Sequence, residues 1–244
     1  MKAVILSGGK GLRLRKVIRD LPKPMSPVSG KPFLEYLIMQ LAGWGITELI
    51  LSIGYKGDQI QSYFGNGSRW GVKIFYSIED KLLGTGGAIK KAAGLIKDKS
   101  FIAMNGDSFL DLNFEEFISF SKCKGALAAL ALTSVKDTTR YGRIEIDEDN
   151  VITGFSEKGK KGQGFINGGI YYFSHEIIKE FPDGRASLEN DVFPRLIKKG
   201  LYGMRAEGFF IDIGLPQDYL YLCKHPEKLL METKILTIGK EKSL

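Results

Sequence analysis

A glycine-rich loop with two basic residues follows the first apolar run of the chain. The loop has the sequence Leu6-Ser7-Gly8-Gly9-Lys10-Gly11-Leu12-Arg13-Leu14. Successive glycines allow backbone N–H groups to converge on an anion, and the side chains of Lys10 and Arg13 add charge that suits phosphate. The loop therefore predicts a phosphate site, and a glycine-rich turn without a ligand is the alternative.

Two familiar phosphate-binding sequences are excluded by the spacing of this loop. The dinucleotide fingerprint requires a third glycine where this chain has Leu14. The P-loop requires Ser or Thr after a Gly-Lys pair, and no Gly-Lys pair of this chain is followed by either residue. Neither a Rossmann dehydrogenase nor a P-loop NTPase is therefore supported.

A lysine stands between two prolines shortly after the loop, in the run Leu21-Pro22-Lys23-Pro24-Met25. Proline restricts its own backbone and that of the residue before it. Holding the ammonium of Lys23 in one direction therefore costs little conformational entropy. A rigid bend without a chemical role is the alternative interpretation of this segment.

Two acidic residues stand where strands of a sheet would end. Asp107 follows the apolar run 101–104, and Asp212 interrupts the apolar run 209–213. Burial of a carboxylate is costly unless it is paired or ligated, and Mg²⁺ is usually held by one or two carboxylates with phosphate oxygens and water. Both residues are therefore candidate ligands of a hard cation, although a single Asp at a strand end is more often a turn former.

The first half of the sequence alternates apolar strands with helical periodicity, which is the pattern of a parallel sheet covered on both faces. The predicted strands are Lys2–Leu6, Glu48–Ile53, Val72–Ser77 and Phe101–Met104, and the predicted helices are Pro32–Trp44, Lys56–Phe64 and Thr85–Leu95. Ligands of such sheets bind at the carboxyl ends of the strands. We therefore expect the glycine-rich loop and Asp107 to lie at the same edge.

The second half is richer in strands. The predicted strands are Ala126–Thr133, Gly142–Ile146, Val151–Glu157 and Phe165–Phe173, with a hairpin turn at 147–150. A helix is predicted over Ser187–Lys199, from an N-cap Ser and an acidic first turn, closed by Gly200. No Pro/Gly/Ser-rich linker separates the halves. The sequence thus predicts one α/β domain, 1–244, with a mixed, mainly parallel sheet and a small antiparallel extension.

Composition narrows the class of protein. The 244 residues include 35 basic and 28 acidic side chains, a net charge of +7, which is compatible with a polyanionic small molecule. The two cysteines form no C-x-x-C pair, so a reducing cytoplasm is expected. No apolar run of about 18 residues and no aromatic-basic pattern is present. We therefore expect small-molecule substrates, and neither a membrane nor nucleic acid as partner.

The loop and the lysine segment together resemble the signature of the sugar-phosphate nucleotidylyltransferases. The matching runs are Gly-Gly-x-Gly-x-Arg-Leu at Gly8–Leu14 and Pro-Lys-Pro-Met at Pro22–Met25, and the resemblance extends over roughly residues 1–222. It implies a Rossmann-like three-layer fold and a reaction in which an NTP and a sugar 1-phosphate give an NDP-sugar and pyrophosphate. Leu12 is a departure, since many members have Thr there.

The resemblance also implies roles for individual residues. Arg13 and Lys23 would contact the triphosphate, while Asp107 and Asp212 would bind Mg²⁺. The other implied nucleotide-binding residues are Leu6, Gly8, Gly9, Gly11, Glu79, Gly84 and Thr85, and the implied sugar-phosphate-binding residues are Gly142, Glu157, Lys158 and Asn167. Residues 1–112 would then form the nucleotide-binding half, 113–224 the sugar-phosphate-binding half and 225–244 a tail.

Guanine is the base that the implied site favours. The carboxylate of Glu79 can accept hydrogen bonds from the N1–H and 2-amino groups of guanine, and Gly84 would leave room for backbone contacts to the base. The segments Leu83–Gly87, Ile166–Tyr171 and Ser187–Pro194 resemble the bacterial D-glycero-α-D-manno-heptose 1-phosphate guanylyltransferases, which supply GDP-heptose for capsule or surface-layer glycans.

Several alternatives stay open. Mannose-1-phosphate guanylyltransferase is the nearest, followed by thymidylyl, uridylyl or cytidylyl transfer to another hexose phosphate. A metal-dependent glycosyltransferase usually has Asp-x-Asp where this chain has Asn-Gly-Asp-Ser. A non-catalytic nucleotide-sensing module would not require the intact set of Arg13, Lys23, Asp107 and Asp212. Homo-oligomers are common in the family, so a homo-oligomer is also considered.

Overall fold

A computed structural model describes residues 1–14, 17–156, 159 and 161–229. The first part of the chain forms β1 (Lys2–Ser7), β2 (Pro27–Val28), β3 (Lys31–Pro32), α1 (Phe33–Gly43), β4 (Glu48–Ile53), α2 (Gly57–Phe64), β5 (Lys73–Ile78), α3 (Gly84–Ala93) and β6 (Ser100–Asn105). The strands and helices predicted for this part are confirmed, with bounds that shift by up to two residues at either end.

The second part contains the predicted strands and several further elements. It forms β7 (Ser108–Leu110), α4 (Phe114–Cys123), β8 (Ala128–Val135), β9 (Arg143–Ile146), β10 (Ile152–Ser156), β11 (Gly164–Ser174), α5 (Phe193–Leu196), β12 (Leu201–Ala206), β13 (Phe210–Asp212) and α6 (Pro216–Lys224). The helix α4 was not predicted, although an N-cap residue and an acidic first turn mark its start. The Asn113 side chain accepts a hydrogen bond from the Glu116 N–H, and Glu115 and Glu116 lie in the first turn.

The helix predicted over Ser187–Lys199 is confirmed only for its first part, and its type differs. Residues Leu188–Val192 form one π-helical turn, and only Phe193–Leu196 are α-helical. Ser187 does cap the turn, since its hydroxyl accepts from the Asn190 N–H. Pro194 lacks an N–H group and therefore cannot continue the hydrogen-bonding pattern of the residues before it.

The main sheet places the carboxyl ends of β1 and β6 side by side. β1 is paired in parallel with β4 and with β6, and β4 in parallel with β5. On the other side of β6 the direction reverses, because β11 pairs antiparallel with β6, β8 and β9. The mixed, mainly parallel α/β sheet is confirmed, as is a small antiparallel sheet, β7 with β13. Sheets of this kind bind ligands at the strand ends where connections diverge.

The central strand β1 is buried on both faces. Ala3 and Ile5 belong to one hydrophobic cluster, together with Leu37 of α1, whereas Val4 belongs to a second cluster with Ile89 of α3. Alternate side chains of a strand point to opposite faces, so β1 separates the two helical layers. This arrangement fixes the end of β1, where the glycine-rich loop begins, at the edge of the sheet.

No helix within the described ranges is long and apolar enough to cross a membrane. The tail predicted from residue 225 is described as far as Leu229, where residues Pro226–Leu229 form a 3-10 turn and Leu229 is buried.

Candidate active site

Lys23 lies between the two acidic residues that were predicted as metal ligands. Its ammonium donates a hydrogen bond to Asp107 Oδ2 at 2.7 Å and lies 3.4 Å from Asp212 Oδ1. The lysine side chain is 9% exposed, whereas the side chains of Asp107 and Asp212 are 42% and 25% exposed. A nearly buried ammonium thus joins carboxylates that lie just after β6 and at the end of β13.

Two glycines allow the backbone to approach Lys23 closely. Gly11 has a φ of +57°, and a Cβ atom there would lie 2.8 Å from the Lys23 Cβ. A Cβ atom at Gly214 would lie 3.0 Å from the Lys23 Nζ and 2.8 Å from Asp212 Oδ1. A side chain at Gly11 would thus be strained by both its φ and the Lys23 Cβ, and a side chain at Gly214 would displace the ends of Lys23 and Asp212 from their present contact.

Two adjoining cavities open beside this cluster and share Asn105 and Asp107 in their walls. The first cavity, of about 590 Å³, is lined by the glycine-rich loop and by the segment around Glu79. The second, of about 650 Å³, is lined by residues from β9 to β11 and by the turn after Ser187. The sheet edge between β1 and β11 therefore offers two neighbouring binding sites.

The structure brings the described site residues together in these two cavities. The first cavity is lined by Leu6, Gly8, Gly9, Gly11, Arg13, Lys23, Glu79, Gly84, Thr85 and Asp107. The second is lined by Gly142, Asn167, Asp107 and Asp212. The predicted residues Glu157 and Lys158 lie outside the described residues. The roles of all these residues remain proposals, which are argued below.

The first cavity is suited to an anion with several charges. Lys10, Arg13, Lys23 and Arg185 all contribute to its wall. Arginine and lysine side chains bind phosphate oxygens by charge-assisted hydrogen bonds. The sequence analysis did not identify Arg185, because a single arginine before the turn at Leu188 carries no motif of its own.

Glu79 is held by two hydrogen bonds at the wall of the first cavity. Its Oε1 accepts from the Ser52 hydroxyl at 3.2 Å, and its Oε2 accepts from the Leu83 N–H at 2.9 Å. A carboxylate has about four acceptor positions, so capacity remains for a ligand. The two internal bonds fix the orientation of the carboxylate, which is a requirement for reading a base by hydrogen bonds.

For the guanine nucleotide expected from the sequence, we expect Gly8→Ala to weaken binding about tenfold. A Cβ atom at Gly8 would overlap Glu79 Oε1 and would lie 3.3 Å from the backbone nitrogen of Gly54. The carboxylate would have to leave its position, and a lost hydrogen bond of about 1.5 kcal/mol corresponds to roughly a tenfold change in affinity. The dissociation constant of GTP, measured by calorimetry, tests this.

Gly94→Ala is the matched control for this prediction. Gly94 is exposed at the end of α3 with a φ of −60°, lines neither cavity, and a Cβ atom there would meet only the Lys91 carbonyl oxygen, at 3.3 Å. The same added methyl group is therefore expected to leave GTP affinity within about twofold. Equal losses in the two variants would show that the displacement of Glu79 is not the cause.

The glycines at the start of α3 serve the packing of a distant segment. Gly84 has a φ of +69°, and a Cβ atom there would lie 2.5 Å from the carbonyl oxygen of Ala186. The same carbonyl accepts from the N–H groups of Gly86 and Gly87 at 2.8 and 3.3 Å. The position that a Cβ atom of Gly84 would take is therefore occupied by Ala186, and the N–H groups of Gly86 and Gly87 already have a protein acceptor. Gly84 also lines the first cavity, so its contact with a base stays a prediction.

Asn167 has its side chain fixed in the second cavity. Its Oδ1 accepts from the Gly169 N–H at 2.9 Å, and its Nδ2 donates to the Tyr171 hydroxyl at 2.9 Å. Burial raises the pKa of the Tyr171 hydroxyl well above its usual range, so the phenol stays neutral. The same Nδ2 lies 3.4 Å from Glu189 Oε1. Sequence reasoning missed Tyr171 and Glu189, because only the fold places them beside Asn167.

The fold and this paired site define a nucleotidyltransferase, and the chain belongs to the Nucleotidyl transferase family, whose sequence model matches residues 2–228. It is 44% identical over 225 residues to the D-glycero-alpha-D-manno-heptose 1-phosphate guanylyltransferase of Aneurinibacillus thermoaerophilus, covering 90% of this chain and 95% of that protein. It is 39% identical over 226 residues to the protein of the same name from Campylobacter jejuni, covering 91% and 98%.

A solved structure shares the fold. The crystal structure of HddC from Yersinia pseudotuberculosis complexed with GMP-PN has a TM-score of 0.81 and 38% sequence identity to this chain, and the match covers 92% of this chain and 98% of that one. The predicted family, enzyme class and three-layer α/β fold are thereby confirmed.

Proposed function

We propose that the protein is a guanylyltransferase that converts GTP and D-glycero-α-D-manno-heptose 1-phosphate to GDP-heptose and pyrophosphate. The observation that carries this proposal is the meeting of two cavities, one basic and glycine-lined and the other polar, at Lys23, Asp107 and Asp212. The names of the two relatives and the nucleotide analogue in the HddC structure support the choice of base and sugar.

The reaction is a single in-line displacement at the α-phosphorus of GTP. An oxygen of the sugar phosphate forms the new bond to this phosphorus, the bond to the bridging oxygen of the β-phosphate breaks, and its electron pair leaves with pyrophosphate. The attacking phosphate is ionised at neutral pH, so no Ser, Cys or His nucleophile is required. Catalysis then depends on positioning the two anions and on stabilising the charge of the leaving group.

The basic residues of the first cavity supply this charge stabilisation. Arg13 and Lys23 are expected to bind the triphosphate and to neutralise the pyrophosphate as it leaves. Backbone N–H groups of the loop at Gly8–Gly11 add donors. In the second cavity, Asn167 is expected to bind the sugar. Glu157 and Lys158, which lie outside the described residues, are expected from the family resemblance to bind the sugar and its 1-phosphate.

The carboxylates of Asp107 and Asp212 fit a divalent cation, because they already share one cation, the Lys23 ammonium. Among the described residues no group of three or more His, Cys, Asp and Glu side chains could hold a metal ion. A Mg²⁺ ion held by Asp107 and Asp212 would complete its shell with phosphate oxygens and water, as is usual for this ion. When bound, it would supply positive charge between the phosphates of the two substrates.

The test is pyrophosphate release with Mg²⁺ across the four common NTPs and a set of sugar 1-phosphates. We expect the highest kcat/KM with GTP and D-glycero-α-D-manno-heptose 1-phosphate, and a lower value with α-mannose 1-phosphate. Preference for another NTP would contradict the role given to Glu79. Nucleotide binding without turnover across the whole set would instead support a sensing module.

A further inference from the structure

The turn at Leu188–Val192 presents two polar side chains to the second cavity. Glu189 and Asn190 line this cavity and are exposed, whereas Leu188 and Val192 are each 1% exposed and pack in the hydrophobic cluster beneath. Regions of π-helix inside helices are frequently found at functional sites. The polar pair is thus fixed to the core by the two apolar residues that flank it.

The backbone of this turn is held by reciprocal hydrogen bonds. The Ser187 hydroxyl accepts from the Asn190 N–H at 3.3 Å, and the Asp191 Oδ2 accepts from the Ser187 N–H at 2.7 Å. This arrangement resembles a capping box, in which two backbone donors are satisfied by side chains. Glu189 is therefore presented to the cavity from a preorganised backbone.

A residue of the first cavity completes the support of the turn. The Thr85 Oγ1 accepts a hydrogen bond from the Leu188 N–H at 2.8 Å, across 103 positions of the sequence. Thr85 stands at the start of α3, where Gly84, Gly86 and Gly87 pack against the residues just before the turn. The start of α3, which lines the first cavity, thus supports the turn at Leu188–Val192, which lines the second cavity.

We infer that Glu189 and Asn190 bind hydroxyl groups of the sugar and that Thr85 is a positioning residue for this pair. The inference rests on the proposed function and adds binding residues for its second substrate. A carboxylate repels phosphate but accepts hydrogen bonds from neutral hydroxyls, so Glu189 suits the sugar ring and its exocyclic carbons. Asn190 adds both a donor and an acceptor at the neighbouring position.

Contact with Asn167 connects this pair to the remaining sugar site. The Asn167 Nδ2 lies between the Tyr171 hydroxyl and Glu189 Oε1, at 2.9 and 3.4 Å. The longer distance leaves acceptor capacity on Glu189, which has about four lone-pair positions. Asn167 and Glu189 therefore form adjacent hydrogen-bonding groups in the lining of the second cavity.

The first test is Glu189→Ala in the full-length protein, with initial rates measured at saturating GTP. Alanine removes both acceptor oxygens, so we expect the KM for D-glycero-α-D-manno-heptose 1-phosphate to rise about 10-fold to 100-fold, the range for loss of a hydrogen bond to a charged group. The dissociation constant of GTP, from calorimetry without the sugar, is expected to stay within twofold. Glu148→Ala, at an exposed glutamate in the turn at 147–150, is the matched control.

Two outcomes would overturn the role of Glu189. One is a KM for the sugar phosphate that stays within twofold of the wild-type value. The other is an equal loss of GTP affinity, which would indicate damage to the whole site. If the wild-type enzyme turns over no tested pair of substrates, the proposed function itself fails, so the two failures are distinguished.

The second test compares Thr85→Val with Thr85→Ser. Valine has nearly the shape of threonine but no acceptor for the Leu188 N–H, whereas serine retains the oxygen. We expect Thr85→Val to raise the KM for the sugar phosphate about fivefold or more, and Thr85→Ser to keep this KM near the wild-type value. A loss of GTP affinity at unchanged sugar KM would make Thr85 a nucleotide ligand and overturn the positioning role.

Discussion

Replacement of Lys23 by alanine is expected to lower kcat about a thousandfold while the fold survives. Lys23 is the nearly buried cation between Asp107 and Asp212, and it faces the cavity assigned to the triphosphate. Removal of one preorganised donor to a developing negative charge costs about a hundredfold to a thousandfold in rate. The substitution also leaves two carboxylates close together without their shared cation, so the upper part of this range is expected. The loss of kcat is measured as the rate of pyrophosphate release at saturating concentrations of both substrates.

A second measurement separates the charge of Lys23 from its role in the metal site. Without the ammonium, Asp107 and Asp212 are free to bind another cation, so Lys23→Ala is expected to bind Mn²⁺ more tightly than the wild type when no nucleotide is present. Mn²⁺ binding can be followed by electron paramagnetic resonance. Lys122→Ala, at an exposed lysine in the last turn of α4, serves as the control for loss of one lysine. Turnover within tenfold of wild type would remove Lys23 from the proposed mechanism.

The second large effect is expected for Asp107→Asn and Asp212→Asn, which should each lower kcat/KM at least a hundredfold at millimolar Mg²⁺. Each substitution removes one of the two carboxylates proposed for the cation and weakens the hold on Lys23. A neutral amide is a much weaker ligand of a hard divalent cation than a carboxylate. The rate is measured as a function of Mg²⁺ concentration for both variants.

We also expect the two variants to differ in how much activity returns at raised Mg²⁺ concentration. Asp107 makes the shorter contact with Lys23 and lines both cavities, so its loss affects both substrate sites, whereas Asp212 lines only the second. Part of the activity of Asp212→Asn should therefore return at raised Mg²⁺ concentration, and less should return for Asp107→Asn. An unchanged Mg²⁺ dependence in both variants would contradict a metal site at these carboxylates. Asp149→Asn, in the hairpin turn at 147–150, is the control.

The sequence by itself determined the parts of this protein that depend on local patterns. Alternation of apolar strands and helical periods predicted β1, β4, β5, β6 and the helices between them, because each buried strand and amphipathic helix shows its own period. The glycine-rich loop and the Pro22-Lys23-Pro24 run were visible as motifs for a similar reason, since backbone conformation at Gly and Pro is set largely by the residue itself.

Tertiary structure alone decided how these parts act on one another. The sequence placed Lys23, Asp107 and Asp212 in the site, but only the fold shows that one ammonium joins both carboxylates. The same holds for Thr85 and Leu188, whose hydrogen bond spans 103 positions. Contacts between residues so far apart in the sequence produce no periodicity and no motif, because they arise from the packing of complete elements and not from neighbouring residues.

The glycines after Glu79 show most clearly how the prediction from sequence differs from the packing in the fold. The sequence indicated that Gly84 allows close contacts, and the fold shows that the Ala186 carbonyl occupies the position of its missing Cβ atom. The helix predicted from Ser187 likewise begins as a π-helical turn, which carries Glu189 to the second cavity. A glycine in the sequence indicates only that another group packs closely against the backbone. Which group approaches is determined by the packing of α3 against the residues before that turn.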